Sequence, residues 1–123
     1  MTTNTNASIK AKWPDPLWLG GFVPVARSFL RAYRRLDPPL SDHAAITVIG
    51  LVDYVWRDGQ LPYPSPGRLA RALGTTTQRI EKALNELEKG GYLVRKEREG
   101  NTTYYDLSRL YEKLTAVKNA EDE

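Results

Sequence analysis

The chain has 123 residues, 41% of them hydrophobic, enough for one globular domain with a modest core and too few for a catalytic domain plus a second folded module. Its net charge of +3 and isoelectric point near 9.2 permit an anionic partner without demanding one. Zero cysteines exclude disulfides, thiolate metal sites and cysteine nucleophiles, and fit a reducing compartment.

Residues 1–12 are rich in Thr, Asn and Ser and offer almost nothing to bury, so a disordered tail is expected. No apolar run approaches the roughly 20 residues of a membrane span, and the polar start lacks the apolar centre of a secretory signal. A cytoplasmic location is therefore expected. Residues 13–24 differ sharply. Trp13, Leu17, Trp18, Leu19 and Phe22 crowd among Pro14, Pro16, Gly20, Gly21 and Pro24, which forbids a regular helix yet is too apolar to stand in water. Such a docking arm covers either its own domain or a neighbouring subunit.

Over residues 25–36, Val25, Phe29, Leu30, Tyr33 and Leu36 share a helical face, with Arg27, Arg31, Arg34 and Arg35 mostly opposite. Asp37, Pro38 and Pro39 break this helix. Ser41 caps the next, with Asp42 favourably near its positive end, and the apolar set from Ala44 to Val55 and Trp56 is wider than one stripe, so residues 41–57 read as a central helix. Ile46 and Leu51 are expected to offer apolar surface beyond the core. The arm is therefore expected to reach a second copy, with Trp13, Leu17, Trp18, Leu19, Phe22, Ile46 and Leu51 as the interface of a homodimer. Residues 58–60 read as a turn and 61–63 as a short extended segment able to join a sheet as third strand.

Residues 64–94, PSPGRLARALGTTTQRIEKALNELEKGGYLV, carry two short helices joined by a tight turn. Ser65 caps the first, Pro66 suits its first position, Leu69, Ala70 and Leu73 form its apolar stripe, and Gly74 ends it. The Thr75, Thr76, Thr77 run offers hydroxyls to the amides of the second helix, and Thr75 with Gln78 has capping-box spacing. Ile80, Ala83, Leu84 and Leu87 face inward, leaving Thr77, Gln78, Arg79, Lys82 and Asn85 outward, residue types able to read base edges or phosphates. Glu81, Glu86 and Glu88 on the same helix would repel a phosphate backbone. Gly90 and Gly91 stop the helix. Strands are expected over 92–98 and 102–107 around turn residues Glu99, Gly100 and Asn101, with Arg95, Lys96 and Arg98 projecting. Ser108 caps a last helix whose Leu107, Leu110, Tyr111 and Leu114 pack back or against a twin, and residues 118–123 read as a frayed, charged tail. The fold class expected over residues 25–117 is mainly α with a small β-hairpin wing (α+β), a winged helix-turn-helix.

The stretches FVPVARSFLRAYRRLDPPLSDHAAITVIGLV, LPYPSPGRLARALG, LEKGGYLV and YYDLSRLYEKL resemble the N-terminal winged-helix domain of DnaD-type primosomal replication proteins, and more widely the winged-helix proteins of phage and plasmid replication initiators and transcription regulators. The resemblance spans residues 22–114. It implies a recognition helix beginning with Thr76, Thr77, Gln78, Arg79 and Lys82 and a wing carrying Arg95, Lys96, Arg98 and Asn101, with Arg68 added from the first helix by its charge. In DnaD proteins this domain chiefly self-associates and a separate C-terminal domain carries much of the DNA binding; no second domain is expected here. Two readings follow: a double-stranded DNA binder controlling transcription or replication initiation, or a self-association module of a replication complex with little direct DNA binding.

His43, the single histidine, has no partner at metal-ligand spacing and is expected at the surface. Neither glycine pair belongs to a phosphate-cradling loop, and no carboxylates form an acid-base frame. No catalytic residue, metal or cofactor is expected.

Overall fold

A computed structural model of the chain describes residues 5–122 apart from Trp56, Asp58, Glu99 and Asn101. In order it forms α1 (Thr5–Lys12), α2 (Asp15–Trp18), α3 (Arg27–Ala32) running into a 3-10 turn at Tyr33–Arg35, α4 (Asp42–Val52), α5 (Pro66–Leu73), α6 (Thr77–Lys89), strands β1 (Val94–Arg98) and β2 (Thr102–Asp106), and α7 (Ser108–Asp122). The architecture is mainly helical with one antiparallel hairpin, an α+β fold. Among the described residues no helix is long and apolar enough to cross a membrane.

Helix α4 is central because so much of its circumference is apolar or small. Ala44, Ala45, Thr47, Val48, Gly50 and Leu51 are all buried. Thr47 is tolerated there because its hydroxyl donates to the His43 carbonyl at 2.9 Å. Gly50 lets α5 approach: a Cβ there would lie 3.0 Å from the Leu69 and Leu73 methyls. Around α4 the core gathers Phe29, Leu36 and Leu40, then Leu69, then Ile80, Leu84 and Leu87, and finally Tyr92, Tyr105 and Leu110. Each large apolar side chain fully buried is worth about 1.5–3 kcal/mol, which holds helices this short together.

Caps set the boundaries of α5 and α6. Ser65 accepts from the Arg68 amide at 3.1 Å, with Pro66 following at the first helical position. Gly74 (φ 67°) then closes α5, and the Thr75 amide returns to the Ala70 carbonyl at 2.9 Å. Helix α6 ends the same way: Gly91 has φ 77°, and the Tyr92 amide bonds the Leu87 carbonyl at 2.9 Å. Gly90 has a different reason. A Cβ there would meet the Tyr92 ring at 2.7 Å, and that buried ring donates its hydroxyl to the Pro38 carbonyl.

Several expectations are corrected. Thr5–Lys12, expected as part of a loose tail, is helical, consistent with its two alanines and two lysines; the rest of that expectation, residues 1–4, lies outside the described residues together with Trp56, Asp58, Glu99, Asn101 and Glu123. The arm contains one helical turn, Asp15–Trp18, because Pro16 is acceptable near a helix start. Helix α4 ends at Val52 and the chain tightens into i→i−3 bonds, Tyr54 to Leu51 and Val55 to Val52, both 3.0 Å. Residues 61–63 give the sheet a single bond, from the Tyr105 amide to the Pro62 carbonyl at 3.0 Å; proline has no N–H to return one, so no third strand forms. Thr76, not Thr75, caps α6, accepting from the Arg79 amide at 3.2 Å. At the start of α7 the cap is Asp106, whose carboxylate accepts from the Ser108 amide at 2.9 Å. That helix runs on to Asp122 instead of fraying after Val117, which packs partly buried against the core.

Candidate nucleic-acid interface

Helix α6 buries Ile80, Ala83, Leu84 and Leu87, so helical periodicity leaves Thr77, Gln78, Arg79, Lys82 and Asn85 exposed on its far side. Thr77, Gln78, Lys82 and Asn85, but not Arg79, form part of one wall of an open groove of about 790 Å³, whose other wall is Pro38, Pro39 and Leu40. Lys82 and Lys89 line it together with Glu81 and Glu86.

Those carboxylates are not loose. Glu86 accepts from the Ser41 amide and from the Ser41 hydroxyl, both at 2.8 Å, while that hydroxyl accepts from the Ala44 amide at 3.1 Å. The charge thus rests on the positive end of α4. Glu81 lies 2.8 Å from Arg95 Nη1 and Glu88 lies 3.2 Å from Arg95 Nε, while Arg95 Nη2 donates to Asn85 at 3.1 Å. One guanidinium from β1 thereby spans three residues of α6.

Arg95 was expected to project from the hairpin. It turns inward instead, because it pairs in register with the fully buried Tyr105 and shares that residue's face of the sheet. Burial raises the Tyr105 hydroxyl above its ordinary pKa. Lys96 and Arg98 leave on the opposite face: Lys96 is 3.0 Å from Asp106, and the Arg98 guanidinium stands 4.6 Å from the Tyr104 ring centroid. The Ser108 amide and hydroxyl, then Lys96, hold the Asp106 carboxyl down at about 2. Asn101 lies outside the described residues. Arg68 is exposed near the start of α5, with its guanidinium 5.4 Å from the Tyr54 centroid.

Two contacts to α4 fix where α6 begins and how it lies. Besides the Glu86 clasp, His43 Nε2 is 3.0 Å from the Arg79 carbonyl. A carbonyl only accepts, so Nε2 carries the hydrogen and His43 serves as a staple, half-buried and not simply at the surface. Asp42, next to it, takes a bidentate contact from Arg34 at 2.8 and 2.9 Å and the Tyr33 hydroxyl at 2.7 Å. Those donors, Tyr33 first, lower the Asp42 pKa, and Arg34 is committed to it.

The expected dimer surface divides. Trp13, Leu17, Leu19 and Phe22 are 58, 61, 68 and 53% exposed, and none joins the core; Trp18 is half-buried, its indole donating to Asp15 at 3.2 Å. Ile46 is exposed, but Leu51 is fully enclosed in the chain's own core and offers nothing to a partner. Beside the arm lies an apolar cavity of about 220 Å³ lined by Val25, Phe29, Val48, Ile49 and Tyr111 among others. Sequence reasoning missed the Arg95 strap, the Glu86 clasp and the Pro38–Pro39 wall; the strap was detectable, since strand alternation puts Arg95 opposite to Lys96 and Arg98. No protein-family model matches the chain, and no curated protein matches it.

Proposed function

We propose that the chain is a winged helix-turn-helix protein that binds double-stranded DNA and acts in the control of transcription or of replication initiation. The observation that carries this reading is the state of α6: its cations and amides stand outward while its three glutamates are tied to Arg95 and Ser41. In the proposed complex α6 enters the major groove. Gln78, Arg79, Lys82 and Asn85 meet base edges, Arg68, Thr76 and Thr77 meet phosphates, and Lys96 and Arg98 follow the backbone from the hairpin. Arg95 acts from behind, drawing the Glu81 and Glu88 carboxylates to itself and offsetting part of their charge.

Salt titration tests this. If about six phosphates are neutralised, the logarithm of affinity falls with log salt at a slope near −5. Absence of binding to any duplex at low salt would overturn the reading.

The second reading, a self-association module with little direct DNA contact, is favoured by the exposed apolar arm and the neighbouring apolar cavity. Both readings share a homodimer. In a DNA-bound dimer the two α6 helices stand about 34 Å apart, one turn of duplex, or a multiple of it.

A further inference from the structure

The outer face of the hairpin carries, beside the Lys96 and Arg98 that duplex binding uses, rings that it does not use. Register sets Lys96 opposite Tyr104 and Arg98 opposite Thr102, so these side chains leave the sheet together, away from α6. The Tyr105–Pro62 bond lays residues 61–63 along the edge of β2 and brings the Tyr63 ring against Tyr104, with centroids 5.3 Å apart and planes inclined at 43°. The Arg98 guanidinium covers the Tyr104 ring. On the other side of Tyr63, a crevice joins it to Pro64, Arg68 and Tyr54, whose ring is the one Arg68 approaches. The result is a row that starts at Arg98, passes over the adjacent Tyr104 and Tyr63 rings, and ends at Arg68 and the half-buried Tyr54.

Core packing accounts for Tyr54, which lies against the core, but not for the Tyr63 and Tyr104 pair. Tyr105 is enclosed in the core, whereas its neighbour Tyr104 and the half-exposed Tyr63 are outside the core cluster. We propose that the row is a stacking platform for the unpaired bases of single-stranded nucleic acid, with Arg68 and Arg98 facing its backbone. Every base has a π-face, so ring-on-ring contact needs no sequence, and guanidinium planes stack on bases as rings do. The Asp106 carboxylate shares this face but is already held by Ser108 and Lys96, so it opposes a strand little. The crevice, about 40 Å³, is too small to enclose a base. A base therefore lies on the Tyr63 ring, which suits a strand draped over several rings better than a single nucleotide. An uncharged proline-rich peptide would use the rings but leave both arginines without a counter-charge.

The platform shares Arg68 and Arg98 with the duplex reading but is separable from it through its rings, since Tyr54, Tyr63 and Tyr104 have no part in duplex binding and either can fail alone. The test titrates the full chain, at low salt, with a labelled strand of about 15 thymidines and with an abasic strand of equal length. The thymidine strand binds about tenfold more tightly, Tyr63→Leu removes about tenfold of that affinity while leaving the abasic strand within about twofold, and Tyr63→Trp restores it. Arg79→Glu with Lys82→Glu weakens duplex binding and leaves the thymidine strand within about twofold. Failure of the duplex reading alone shows as no duplex binding with the Tyr63 effect intact. Equal affinity for thymidine and abasic strands, no effect of Tyr63→Leu, or Tyr63-dependent binding of decaproline without thymidine binding each overturn the proposal.

Discussion

Replacing Arg95 by Met separates a scaffold role from a DNA contact. Met keeps the apolar stem and removes the guanidinium, leaving Glu81, Glu88 and Asn85 without their shared partner. The Arg95 side chain is 22% exposed, and its partners Glu81 and Glu88 are 44% and 37% exposed, so both ion pairs are heavily screened and contribute at most about 1 kcal/mol each. The hydrogen bond to Asn85, made by a charged donor, adds about 1 kcal/mol. The expected loss is about 2 kcal/mol, or roughly 5–10 °C in melting temperature for a domain of this size. Thermal melts of Arg95→Met, Glu81→Gln and the double variant check it, with a coupling energy of about 1 kcal/mol between the pair. The salt slope of DNA binding stays unchanged, because a guanidinium spent on α6 neutralises no phosphate. A variant that melts within about 1 °C of the parent, yet loses close to one unit of salt slope, refutes the strap and restores Arg95 to the DNA contacts.

Lys82→Glu, at an exposed position of α6, is expected to weaken duplex binding more than tenfold at low salt without changing the melting temperature by more than about 2 °C, read by anisotropy and circular dichroism. Gly90→Ala forces a methyl onto the Tyr92 ring and should cost about 1–3 kcal/mol, measured by urea unfolding. Asp106 has its carboxyl lowered to about 2 from 3.8 by Ser108 and Lys96; a depressed carboxylate pKa contributes stability above pH 4 that fades as pH falls through 3.8 toward 2. Asp106→Asn should therefore lose up to about 2 kcal/mol at neutral pH and show a flatter acid limb in pH-dependent melts. Deleting residues 1–20 should turn a dimer into a monomer by sedimentation; a truncated chain as dimeric as the parent would show that the arm belongs to its own domain.

Local signals were the legible part of this chain. The caps at Ser41 and Ser65, the Gly74 and Gly91 stops and the inward face of α6 each depend on a few neighbouring residues, so composition and spacing sufficed. What escaped depends on pairs far apart in sequence. Glu86 looked like a repulsive charge because its partner, Ser41, is 45 residues away. Leu51 looked like spare surface because the contribution of Leu69 and Leu73 to covering α4 requires knowing how closely Gly50 lets α5 approach. The third strand failed for a reason present in the sequence: Pro62 can accept one ladder bond and donate none.

The glutamates of α6 bear on the choice between the two functional readings. Taken from sequence alone they argue against an anionic partner, since three carboxylates on a reading helix would cancel its cations. In the folded chain Arg95 answers Glu81 and Glu88 from behind, and the α4 N-terminus answers Glu86. These contacts also hold the helix, together with the His43 staple at Arg79, so α6 is braced at its first turn, its middle and its last turns against both α4 and β1. A surface used only for self-association gains nothing from having its acids tied down and partly offset while Arg79, Lys82 and Lys89 are left outward. An interface with phosphate gains both the reduced repulsion and the fixed geometry, because a preorganised helix loses little freedom on binding. That asymmetry is the physical ground for preferring DNA over a purely self-associating role for this face, and it leaves the proposed association to the arm, on other residues.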